Sequence, residues 1–405
     1  TGSQADSVRA VLAELSARFS RLRAASLPGA SLAGGQAGLA LVHDGLERAF
    51  PGSGHGRRRD RAIGRAIKAV GEVLLEPGLH DGFTGVAWAV EHLVGRARGP
   101  DDVDLCASVD GALSRYLARQ RSRTMFDVVE GLAGFGVYGL ERASARIVAR
   151  VVDLLAASAQ TREEGLAWRS RADWFPREFR ASEHKDWNLG LAHGTPGVVA
   201  LLGAVCAASS TPEATRRKAR ELIGRAVPWL VAQELSAARG GGFPYSAGAT
   251  TPARLAWCYG DLGVAHALLS ASRALDEPAW RREALRIAVA TTHRPADAAG
   301  TFDCGLCHGT AGIGHLYHRM YTLTGDERLA DAARGWFTRT VDARRKGRGF
   351  AGYAAFGPHP VTGRPGWHAD AGFLVGAGGV TLAFLSALGY DDGAWDRPLL
   401  TALRW

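Results

Sequence analysis

Residues 302–317 read FDCGLCHGTAGIGHLY and place Cys304, Cys307 and His308 within five positions. C-x-x-C-H is the pattern of covalent haem attachment, which requires an oxidising export route. The opening residues, TGSQADSVRA, carry no apolar signal core, so that route is not expected. A haem would also leave Cys258, in ARLAWCYGDLG, without a role. Cys258, Cys307 and His308 together are three ligands of the kind zinc prefers. Three protein ligands leave one coordination position open. Two thiolates and a neutral imidazole bring the centre to zero formal charge, so it can accept a further thiolate and keep it deprotonated at neutral pH. Spacing alone leaves the rival open, that each cysteine is a small buried hydrophobe. Cys304 reads as a bystander thiol, and Cys106 and Cys206 as packing residues in helical runs. An odd count of five cysteines, with no signal core, argues against a disulfide framework.

These residues adjoin a repeated element. A Gly-x-x-Gly pair precedes an apolar run in GGQAGLALV, DGFTGVAWAV, EGLAGFGVYGL, HGTPGVVALL, YGDLGVAHALL, HGTAGIGHLY and VGAGGVTLAFL, seven copies in all. The first glycines are Gly35, Gly82, Gly131, Gly194, Gly260, Gly309 and Gly376, with a spacing near 48 residues and longer intervals before the fourth, fifth and seventh. Four copies carry something reactive: Asp127 before the third, His193 in the fourth, Cys258 in the fifth, and Cys307 with His308 in the sixth. Asp261, His266 and His315 lie nearby and read as supporting or packing residues.

The elements that must position them are helical. Val8, Val11, Leu12, Leu15 and Phe19 follow the spacing of one helix face, as do Ile313, Leu316, Tyr317, Met320 and Tyr321. Leu329, Ala332, Ala333 and Trp336 follow it too, with Asp331, Arg334 and Arg339 between them. Each repeat is thus one apolar, glycine-started helix and one amphipathic helix, the first buried and the second half-exposed. Strand-like alternation is scarce. Seven such hairpins stack as an open solenoid or close into a ring. Equivalent loops then share one end, where glycine permits positive φ or close approach of two chain segments.

Composition sets the outer bounds. The 405 residues are 46% hydrophobic and 22% charged, ordinary for a globular protein. No apolar run reaches the roughly 18 residues of a spanning helix, so no membrane insertion is expected and the chain reads as cytoplasmic. The formal charge of +9 comes from lysines and arginines spread along the chain, and the clusters at 57–61 and 343–348 read as solvated surface. Nucleic acid is therefore not an expected partner.

In this order AHGTPG (192–197), WCYGDLG (257–263) and CHGTAG (307–312), together with the sevenfold repeat, resemble the lanthionine synthetase C-like family of lanthipeptide cyclases. One departure is Leu262, where the family commonly has proline. The resemblance implies an all-α fold, an α/α toroid of seven helical hairpins in inner and outer rings, as one domain over 1–405. A small extra lobe is known in the family, and 161–187 is the interval that would hold a reduced counterpart. By motif match the family's zinc ligands fall on Cys258, Cys307 and His308, its active-site histidine on His193, its aspartate on Asp127 and its arginine on Arg254.

The activity so implied joins a peptide cysteine to dehydroalanine or dehydrobutyrine in a dehydrated precursor peptide, giving lanthionine or methyllanthionine rings. In that chemistry His193 is the first choice for the acid that protonates the α-carbon. Asp127 orients it or accepts the thiol proton, and Arg254 stabilises the enolate. The family also brings in a complex with a dehydratase and an exporter. Rival readings are a zinc enzyme that adds glutathione or another thiol, a protein prenyltransferase, whose ligand set would include aspartate, and a non-catalytic helical-repeat scaffold that binds peptides.

Overall fold

The computed structural model describes all residues except 1, 24–26, 28, 96, 97, 100, 122, 123, 175–185, 359–361, 392 and 403. Of the interval 161–187, singled out above as an insertion, residues 175–185 lie outside the described residues. Its described start is a short hairpin of β1 (Gln160–Arg162) and β2 (Gly165–Ala167).

Fourteen α-helices lie among the described residues, and they alternate in kind. Seven are apolar: α2 (Gln36–Ala49), α4 (Phe83–Leu93), α6 (Leu132–Glu141), α8 (Thr195–Ala207), α10 (Asp261–Leu275), α12 (Thr310–Thr324) and α14 (Ala377–Ala387). The first glycine of each expected pair is the residue that caps each of them. α8 buries every residue from Thr195 to Val205. The other seven are amphipathic: α1 (Gly2–Ser20), α3 (His55–Glu72), α5 (Ala107–Arg119), α7 (Ala145–Ser158), α9 (Glu213–Val231), α11 (Pro278–Thr292) and α13 (Glu327–Asp342). α3 buries only His55, Ala62, Ile63 and Ala66. α1 buries Val8, Val11, Leu12, Leu15 and Phe19, the face read from the sequence.

Three of the amphipathic helices, α7, α11 and α13, start on side-chain caps. Ser144 accepts from Ile147 N–H, Glu277 from Ala279 N–H and Asp326 from Arg328 N–H. The apolar helices have no side-chain cap and are capped by their own entry loops. In six of them the first helical N–H reaches the carbonyl seven residues back: Gln36 to Gly29, Phe83 to Glu76, Leu132 to Met125, Thr195 to Asn188, Thr310 to Asp303 and Ala377 to Asp370. Such a loop lies directly over the helix start, which is why the glycines are needed. A Cβ on Gly85 would stand 1.7 Å from the Leu79 carbonyl oxygen. Close approach, not positive φ, is the general reason: six of the capping glycines are extended, and only Gly260 is left-handed, at φ 94°.

The chain divides into two compact units, each discontinuous in sequence. The first, Thr1–Cys106 with Gly300–Trp395, packs α2 on α3 and α12 on α13, and sets α12, α14, α2 and α4 in sequence as neighbours. Here α1 lies against α13 and α14, so the first helix of the chain completes its last hairpin. This unit also holds a hairpin the sequence reading did not anticipate, β3 (Ala354–Pro358) with β4 (Pro365–Ala369). The second unit, Ala107–Ala299 with Asp396–Trp405, packs α6 on α7, α8 on α9 and α10 on α11, with α6, α8 and α10 as neighbours. Its terminal segment is held by Trp257 Nε1–H donating to the Leu399 carbonyl at 2.8 Å and by Arg397 paired with Glu141 at 2.8 Å.

Candidate metal and acid–base site

The loop that caps each apolar helix fixes where its reactive side chains sit. His193 and His308 immediately precede the capping glycines Gly194 and Gly309; Cys258 and Cys307 stand two residues before Gly260 and Gly309. The two cysteines thus occupy equivalent repeat positions. Each stands in the entry loop of a 15-residue helix.

In the second unit, Val128 N–H donates to the Ala192 carbonyl at 2.9 Å and brings the Asp127 loop onto the His193 loop. His193 Nδ1 and Asp127 Oδ2 are 2.8 Å apart, and Asp127 Oδ1 accepts from Glu130 N–H at 2.8 Å. Asp127 is buried, while His193 keeps a third of its side chain exposed, so the carboxylate anchors and the imidazole faces out. Loss of surrounding water lowers the His193 pKa. The Asp127 hydrogen bond and charge, with the charges of Cys258 and Glu130, more than offset this and leave it raised. Ala192 N–H also donates to the Cys258 carbonyl, at 3.4 Å, which joins the third loop to the other two.

Two tyrosines and an asparagine complete this surface, and the sequence reading had missed all three. Asn188 accepts from Gly190 N–H at 2.8 Å and donates to Tyr259 Oη at 2.9 Å. Burial pushes the Tyr259 phenol up to about 12, so it stays protonated. The Tyr259 ring lies 6.0 Å from His193 and 5.0 Å from Tyr245. Arg254 Nε–H donates to Tyr245 Oη at 3.2 Å, which places the arginine on the same surface. Asn188 and Tyr259 stand inside NLGLAHGTPG and WCYGDLG, where each looks like an ordinary turn residue.

In the first unit, Cys307 N–H donates to the Leu374 carbonyl at 2.9 Å, and His308 Nε2 lies 3.6 Å from Asp303 Oδ2. Asp303 is buried and held by Gly305 N–H and Phe356 N–H, both at 3.1 Å. A carboxylate behind one imidazole nitrogen orients the ring and leaves the other nitrogen for a metal. Burial raises the Cys304 thiol to about 11, against a hydrogen bond with Thr310 that lowers it, so this cysteine is neutral near pH 7. Cys258 belongs to the second unit, and Cys307 and His308 to the first.

The remaining candidates have structural partners. Asp261 is buried, accepts from Phe243 N–H at 2.9 Å and pairs with Arg294 at 2.7 Å. His315 packs against Trp395 at 4.9 Å, and His266 is buried. Cys106 precedes α5 and its thiol meets the Ala87 carbonyl at 3.4 Å. Cys206 lies in α8, where burial raises its thiol to about 11. Among the described residues no helix is long and apolar enough to cross a membrane.

Comparison with known proteins bears on the whole chain. Nisin cyclase matches the structure with a TM-score of 0.72 over 97% of this chain and 96% of its own, at 18% sequence identity. The two share a fold, the α/α toroid. No curated protein matches significantly by sequence. The sequence profile of the lanthionine synthetase C-like proteins matches residues 28–400. The chain belongs to the lanthionine synthetase C-like family.

Proposed function

We propose that this chain is a zinc-dependent lanthipeptide cyclase, which closes thioether rings by adding a peptide cysteine to the β-carbon of dehydroalanine or dehydrobutyrine. The observation that supports it most is the Asp127–His193 pair at 2.8 Å, on loops hydrogen-bonded through Ala192 to the loop that carries Cys258.

Cys258, Cys307 and His308 would hold the metal. Two sulfurs and an imidazole suit zinc, whereas magnesium and calcium take oxygen ligands. Zinc, when bound, lowers the pKa of a coordinating thiol and makes it a nucleophile near neutral pH.

The chain's own residues do the rest. Addition forms the carbon–sulfur bond and moves the π electrons onto the neighbouring carbonyl as an enolate. The Arg254 guanidinium stabilises that charge. Asp127 fixes the proton on His193 Nδ1, so Nε2 is the nitrogen that faces the substrate. With its pKa raised, His193 is available as imidazolium and delivers the Nε2 proton to the α-carbon. The thiol proton leaves to solvent or base, so ring closure conserves mass.

The test is metal content and ring closure with Cys307→Ala. The expected outcome is loss of bound zinc and of free-thiol consumption on a dehydrated peptide. Full zinc occupancy with normal ring yield would reject the ligand assignment. A mass gain on the peptide when glutathione is present would favour intermolecular thiol addition instead.

A further inference from the structure

The β3–β4 hairpin reverses the usual burial pattern. Ala354 faces Ala369, Phe356 faces Trp367 and Pro358 faces Pro365, so these six side chains share one face of the ribbon. That face is apolar throughout and points to solvent: Phe356 is 40% exposed and Trp367 56%. The opposite face carries buried Ala355. Phe302, 66% exposed, extends the outward face. Its ring lies 6.0 Å from Phe356, which lies 5.3 Å from Trp367. A contiguous exposed apolar ridge of this kind marks a surface that something else covers.

The ridge is tied to the His308 loop within the first unit. Phe356 N–H donates to Asp303 Oδ2, the same oxygen that stands 3.6 Å from His308 Nε2, and Phe302 immediately precedes Asp303. The hairpin is two-stranded, so an extended chain can add to its outer backbone edge. The proposed chemistry needs only a thiol and an alkene, and affinity for a long flexible peptide must come from interactions remote from the reacting atoms.

We propose that this ridge holds the peptide substrate in extended form, stacking apolar side chains from the stretch flanking the reacting cysteine on Phe302, Phe356 and Trp367, with the thiol delivered beside His308. This rests on the cyclase reading and names the surface that takes the peptide.

The test measures kcat and KM for ring closure on a long dehydrated peptide and on a minimal one that holds little beyond cysteine and dehydroalanine. The enzymes are wild type, the Phe356→Ser/Trp367→Ser double variant and, outside the hairpin, Phe302→Ser. Without the aromatic rings to stack on, KM for the long peptide rises roughly tenfold. Its kcat, the bound zinc and the kinetics on the minimal peptide stay as in wild type. An unchanged KM for the long peptide with ring closure intact overturns the proposal. Conversion of a dimer to a monomer by the same substitutions, read by light scattering, assigns the face to a second copy and overturns it too. A wild type that binds zinc yet closes no ring sinks the cyclase reading, and the occupant named here falls with it.

Discussion

At the residue scale, the imidazole of His193 is governed by one carboxylate. Burial pulls its pKa down and Asp127 pulls it further up. As an acid it works while protonated, so ring closure is expected to fail as pH rises through the raised pKa. Asp127→Asn removes the main raising influence and leaves the burial. The fall in rate should then begin at lower pH, which a pH–rate profile of both proteins measures. An unmoved profile would mean another group is the acid. His193→Ala is expected to retain zinc and lose roughly 10²- to 10⁴-fold in ring-closure rate. The reactive types, Cys258, Cys307, His308, His193 and Asp127, could be picked from the sequence because each sits beside a glycine pair. Tyr259 and Asn188 sit there too and passed as turn residues. Their hydrogen bond spans 71 positions, and nothing local announces it.

At the element scale, the glycines are not interchangeable. Gly85 lies in the first turn of α4, where a Cβ would strike the Leu79 carbonyl, whereas Gly64, in the middle of α3, has nothing within 4 Å of where a Cβ would stand. Gly85→Ala is therefore expected to destabilise by about 1–3 kcal/mol or more, through forced displacement of the loop. Gly64→Ala should stabilise by about 0.5–1 kcal/mol, because alanine loses less backbone freedom in a helix. Denaturant melts of the two variants check the opposite signs, and a shift of the same sign for both would refute the distinction. The alternation of apolar and amphipathic helices was legible from periodicity alone. The β3–β4 hairpin was not: its apolar residues face outward, and alternating residues such as Phe356 and Trp367 with small partners carry no buried-strand signature.

At the scale of the whole molecule, both compact units are assembled from distant stretches of chain. The last ten residues return to the second unit, where Arg397 meets Glu141, whose side chain is only 1% exposed. Removing the guanidinium leaves a buried carboxylate short of its cation, so Arg397→Ala is expected to cost on the order of 3 kcal/mol. Arg397→Lys should recover part of that. Chemical denaturation reads both, and a variant as stable as wild type would show that the terminal segment is not held this way. Assembly across such separations means much non-local pairing, which favours slow folding.

The sequence by itself determined the helical hairpins, their seven starting glycines and the kinds of donor set beside them, because periodicity and turn chemistry are written within a few neighbouring residues. Only the tertiary structure decided that Asp127 serves His193 across 66 positions, that Asp303 stands behind His308, and that three aromatic rings form a ridge beside the His308 loop. Those outcomes follow from which loops the packed helices bring together, and that depends on the whole set of buried faces rather than on any one stretch of chain.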